Sequence, residues 1–92
     1  MIKVPNLEIF ADVIETNGME KQKIVAMEEL SELIQAISKD LRGCPDLNNI
    51  AEEMADVYIM LHQLEIMYFN KDIVLHKIYE KAKRLEDNKG VL

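Results

Sequence analysis

The stretch IAEEMADVYIML, residues 50–61, decides how this chain folds. Ile50, Val57, Met60 and Leu61, with Leu64 just beyond, recur at the three- and four-residue spacing of one helix face. At about 100° per residue, Glu53 falls inside that apolar arc and Asp56 on its edge. A helix that turns two carboxylates toward its own core needs something to compensate them, because buried charge is costly. The run continues as VYIMLHQLEIMYF, residues 57–69, in which ten of thirteen residues are apolar and lie on nearly every side. A helix apolar all round is buried all round. The rest of a 92-residue chain can hardly cover it, so a second subunit is expected to pack against it or nearby.

Outward from this helix, the punctuation defines three more. Asp46 is placed to cap the helix that contains the quoted stretch, and this helix runs to about Phe69. Gly43 and Pro45 stop the preceding helix, about residues 19–41, and the short Gly-Cys-Pro-Asp connection makes the two antiparallel neighbours. A first helix is expected over about residues 7–17, with Asn6 as its N-cap and Gly18 just past its end. A fourth begins after the N-cap candidate Asn70, carries Asp72 in its first turn and ends near Asn88. No Val/Thr-rich alternating run suggests a strand. The expectation is an all-α, four-helix bundle-like domain covering residues 1–92, assembled as a dimer or tetramer.

Composition narrows the function. Apolar residues make up 49% and charged residues 30%, which describes a folded chain rather than a disordered one. A net charge of −6 suits neither a nucleic-acid backbone nor an anionic membrane, so neither is expected as a partner. The longest apolar run, VYIML at 57–61, is too short to span a bilayer, and MIKVPNLEIF lacks the apolar core of a secretory leader. The single cysteine, Cys44, reads as a free thiol in a reducing cytoplasm, not as a nucleophile, since no histidine lies near it in sequence.

The acidic residues repeat one device on two helices. MEELSEL, residues 27–33, sets Glu29 and Glu32 three apart on one face, beside an apolar arc of Met27, Leu30, Leu33, Ile34, Ile37 and Leu41. Glu53 and Asp56 do the same on the next helix. Counted from the connection, the pairs differ in level by about 3–6 Å, within reach of flexible side chains. Four such charges brought together repel unless a cation joins them. An all-carboxylate set fits Mg²⁺, with Mn²⁺ as a substitute, and argues against zinc because no Cys or His accompanies it. The Glu-x-x-His spacing of di-iron bundles is absent, since Ile59 and Ile73 stand three residues before His62 and His76. Glu28, Glu52 and Glu65 read as solvated surface.

MEELSEL followed by EEMADV resembles the two-part signature of the MazG-like all-α nucleoside triphosphate pyrophosphohydrolases: E-E-x-x-E, one to two dozen residues, then E-x-x-D. Here Glu28-Glu29-x-x-Glu32 and Glu53-x-x-Asp56 are separated by twenty residues. The resemblance covers about residues 20–90. It implies a four-helix fold that dimerises or tetramerises, and hydrolysis of a nucleoside triphosphate to the monophosphate and pyrophosphate. It also implies that Glu29, Glu32, Glu53 and Asp56 hold Mg²⁺. Glu28 would shape the site or handle water, and Glu29 would accept the proton of the attacking water. Lys77, Lys81 and Arg84 form one basic stripe on the fourth helix, suited to phosphate oxygens. The segment KIYEKAKR resembles the family's phosphate-contacting segment, although Lys81 stands where that pattern often carries Asn. An ordinary solvated face, with Glu80 and Glu86 pairing to neighbouring cations, is the competing reading.

Phe10, Tyr58, Tyr68, Phe69 and Tyr79 read as core or interface rather than as base-stacking partners, and His62 as interface or surface. Two other functions compete. One is phosphoribosyl-ATP pyrophosphohydrolysis, within the same broader grouping. The other is a non-enzymatic helical adaptor that binds through the third helix. A Ca²⁺ module is disfavoured because no D-x-D-x-D-G loop exists.

Overall fold

The structure, a computed structural model, describes residues 7–92. Those residues form α1 (Leu7–Asn17), α2 (Met19–Leu41), α3 (Leu47–Tyr68) and α4 (Lys71–Asp87), with no strand among them. The expected all-α architecture and element bounds are found. The Asn6 cap lies outside the described residues.

The breaks follow from local chemistry. Gly18 adopts φ 89 and ψ 151, a backbone conformation that L side chains rarely take. Its N–H donates to the Ile14 carbonyl at 2.8 Å and its own carbonyl accepts from Gln22 N at 3.2 Å. One residue thus closes α1 and opens α2. Asp46 caps α3 as expected, its Oδ1 accepting from Asn49 N at 3.0 Å. Asn70 occupies the N-cap position of α4 but makes no side-chain cap bond. Its φ of −125 and ψ of 17 lie away from the extended geometry that aims a capping oxygen at the first turn. The preceding Phe69 is left-handed, at φ 51, a place usually taken by Gly or Asn.

The α2–α3 pair is the centre of the molecule. Along α2, the residues turned toward α3 are Gln22, Ala26, Glu29, Leu33 and Ala36, at alternating four- and three-residue steps. Along α3, Glu53, Asp56, Met60, Gln63 and Met67 keep the same rhythm. This is the seam of an antiparallel coiled-coil-like pair. It corrects the expected α2 arc: Met27, Ile34 and Leu41 are 62%, 68% and 82% exposed, and Leu30 and Ile37 are exposed too. The packed face of α2 carries small and polar side chains because they let the two helices approach closely. Apart from Leu33, most of its larger apolar residues face outward.

Phe10 and Ile14 of α1 are buried where that helix crosses α2 and α3. Among the described helices, α4 packs on α3 alone, and it contains no buried residue. The radius of gyration is 15.3 Å, against about 12 Å for a compact chain of this length. The expectation that α3 is covered on every side fails within one chain, since Leu61 and Tyr68 remain exposed.

Candidate metal centre

The antiparallel register sets the site. Gln22 Nε2 donates to Gln63 Oε1 at 2.8 Å, in a buried bond between α2 and α3. Seven residues further along α2 comes Glu29, and seven residues back along α3 comes Asp56. Three more steps in each direction bring Glu32 level with Glu53. One carboxylate oxygen from each of Glu29, Glu32, Glu53 and Asp56 can be chosen so that all lie within 4.8 Å of one another. Ala26 and Ala36, nearly inaccessible to solvent, flank this cluster on the seam and keep the helices close.

The electrostatics are those of like charges held together. The Glu29 carboxyl is pushed up to about 7, first by burial, then by the charges of Glu32, Asp56 and Glu53. Glu53 is also raised, first by burial and then by the neighbouring carboxylates, Glu32 foremost. Glu29 Oε2 and Glu53 Oε2 are buried and have no hydrogen-bond partner. Among the described residues, the ion pairs are His76–Glu80 at 3.0 Å and Lys77–Glu80 at 3.4 Å, both within α4. No described basic side chain forms an ion pair with the cluster. Four oxygen donors, two of them with orphaned buried atoms, fit a hard divalent cation and offer no soft ligand.

The remaining candidates lie elsewhere. Glu28 is exposed on α2 and outside the group of four. Lys77, Lys81 and Arg84 are exposed on α4, and because α4 does not pack on α2, one chain does not bring them to the cluster. Lys77 contacts Glu80, whose carboxyl it holds below its ordinary value. Arg84 Nη1 donates to the Leu92 carbonyl at 3.1 Å. Glu52 is surface, accepting from Asn48 Nδ2 at 3.2 Å, whereas Glu65 is half-buried at a cleft between α3 and α4 rather than fully solvated. His62 lines the same cleft.

The supporting pair Gln22–Gln63 was missed in the sequence. Its signal was present: Gln63 interrupts an apolar run as Glu53 does, and Gln22 precedes Glu29 by one heptad. Asn17 Nδ2 donates to Gln22 Oε1 at 3.0 Å and ties the end of α1 into the same network.

Fold and cluster together define an all-α protein whose carboxylate centre could hold a divalent ion. The family model of the MazG nucleotide pyrophosphohydrolase domain matches residues 11–88, and the chain belongs to that family. It is accordingly an enzyme, a hydrolase acting on phosphoric anhydride bonds of nucleotides. That membership favours catalysis over the adaptor reading. No curated protein and no solved structure matches the chain. Among the described residues, no helix is long and apolar enough to cross a membrane.

Proposed function

We propose that this chain is an Mg²⁺-dependent nucleoside triphosphate pyrophosphohydrolase, releasing pyrophosphate and the monophosphate from an NTP or dNTP. The observation that carries the proposal is the convergence of four carboxylates from two helices, none of them in an ion pair with a described basic residue. Glu29, Glu32, Glu53 and Asp56 would hold Mg²⁺, or Mn²⁺ in its place. An ion held there would supply neutralisation of phosphate charge and a more acidic water.

The side chains divide the remaining work. Glu29 keeps one buried carboxylate oxygen without a hydrogen-bond partner, and this group takes the proton of the attacking water. Glu28, exposed one residue before it, orders that water. Lys77, Lys81 and Arg84 meet phosphate oxygens, Arg84 with a planar fork of donors. The chain acts as a single domain within a homo-oligomer, which covers the apolar side chains left exposed on α2, α3 and α4. The exposed free thiol of Cys44 fits a reducing cytoplasm.

A coupled assay for pyrophosphate over the common NTPs, dNTPs and phosphoribosyl-ATP, with and without Mg²⁺, tests the reading. Mg²⁺-dependent pyrophosphate release from at least one triphosphate is expected. Turnover confined to phosphoribosyl-ATP would transfer the assignment to that substrate. Release of orthophosphate alone would refute cleavage between the α and β phosphates.

A further inference from the structure

We infer that the buried Gln22–Gln63 amide pair positions the carboxylate centre, clamping α2 to α3 so that the four acids face one another before an ion arrives. The inference rests on the proposed metal-binding role of Glu29, Glu32, Glu53 and Asp56 and adds two positioning residues that act through them. Gln22 and Gln63 are 3% and 4% exposed, the buried polar residues among those described. Two amides on a helix seam are costly to bury unless they satisfy each other. Gln22 Nε2 donates to Gln63 Oε1 at 2.8 Å, and Gln22 Oε1 accepts from Asn17 Nδ2 at 3.0 Å. One chain of amides thus joins α1, α2 and α3.

The pair and the acids share one register. Glu29 and Asp56 stand seven residues from the amides on their respective helices, and Glu32 and Glu53 stand ten residues from them. At the α-helical rise, the two carboxylate levels lie about 10 Å and about 15 Å along the seam from the amide bond. The far end of the seam is tied by the short connection between Leu41 and Leu47. The carboxylates therefore sit between two tethers, one covalent and one hydrogen-bonded.

The rest of the seam does not fix that geometry. Ala26 and Ala36 have no long side chain to interlock, and Met60 and Met67 are flexible. Among the described residues, no other side-chain hydrogen bond and no ion pair joins α2 to α3. The acids themselves act the other way, since like charges drive the two helices apart until a cation joins them. A directional bond between amides resists both sliding and splaying, as a single polar position does in a coiled-coil seam. Without it, the closed arrangement is less populated, and the apparent affinity for the ion falls by that fraction.

Mn²⁺ titrations of the metal-free chain, read by electron paramagnetic resonance, test the proposal. The double variant Gln22→Leu with Gln63→Leu refills the seam with apolar volume, so it separates positioning from stability. It should melt near the wild-type temperature yet bind Mn²⁺ about 10-fold more weakly. Gln63→Asn keeps an amide but draws it back by one methylene, and it should shift affinity the same way. Asp46→Ala is the control: it removes a cap at the other end of the seam and should leave Mn²⁺ affinity unchanged. In pyrophosphate release the double variant should need about 10-fold more Mg²⁺ for half its maximal rate, and approach the wild-type kcat once Mg²⁺ saturates. Wild-type Mn²⁺ affinity in both glutamine variants would overturn the proposal and reduce the pair to core packing. An equal loss of affinity in Asp46→Ala would overturn it too, because any destabilisation would then act alike. A wild-type chain that takes up no Mn²⁺, or whose uptake survives Glu53→Gln unaltered, would instead overturn the metal centre on which the proposal rests.

Discussion

Glu29 and Glu53 each keep one oxygen that is buried and unpartnered, and the charges that act on them most strongly are those of neighbouring carboxylates. Their proton affinity is the consequence, and its sign fixes the pH behaviour. Glu29 moves up from its ordinary 4.5 to about 7 on folding. The folded state therefore binds more protons than the unfolded state between those values. Its stabilising contribution is complete below about 4.5 and is lost as pH rises through about 7. Thermal melts of the metal-free protein should accordingly show Tm falling across that window, and saturating Mg²⁺ should flatten the decline. Mg²⁺ binding near pH 6.5 should release close to one proton, read by calorimetry in buffers of different ionisation enthalpy. Glu53→Gln should reduce turnover at least about 100-fold and weaken metal binding while raising the metal-free Tm, because it removes one of four crowded charges. At this scale the sequence was informative. The two three-residue spacings on neighbouring helices already implied convergence, since i and i+3 share a face.

The four helices were legible element by element because their ends carry strong signals: Gly18, the Gly43–Asp46 connection and the residues around Asn70. The face of α2 that packs was not. Side-chain size pointed to Met27, Ile34 and Leu41, but the seam runs through Gln22, Ala26 and Ala36. Apolar content marks what must be covered by something; it does not say which partner covers it. Close approach of two helices instead selects small residues and a paired amide. The amide pair makes the register testable. Gln22→Leu leaves the buried Gln63 carbonyl without its donor, and Gln63→Leu leaves Gln22 Nε2 without its acceptor; either should cost about 1–3 kcal/mol in urea unfolding, while the double change should recover much of the loss. Asp46→Ala removes the single side-chain cap of α3 and should cost about 1 kcal/mol, with little effect on metal affinity.

On the scale of the whole molecule, α4 is the element whose position sequence alone could not supply. Its pattern is amphipathic, yet among the described helices it reaches only α3, and Val74 is no more than half-buried there. The apolar excess of α3 and the basic stripe of α4 could be read from residue spacing. The placement of that stripe away from α2 could not, because it depends on how the helices pack rather than on the pattern along any one of them. Ile34→Glu, on the exposed face of α2, should dissociate the proposed homo-oligomer in light scattering and lower turnover with it, while helical content by circular dichroism persists.

Anomalous diffraction from crystals grown with Mn²⁺ tests the carboxylate centre most directly. A strong peak should appear among the side chains of Glu29, Glu32, Glu53 and Asp56, and disappear in Glu53→Gln. Full Mn²⁺ occupancy elsewhere, with those four side chains turned apart into solvent, would contradict it.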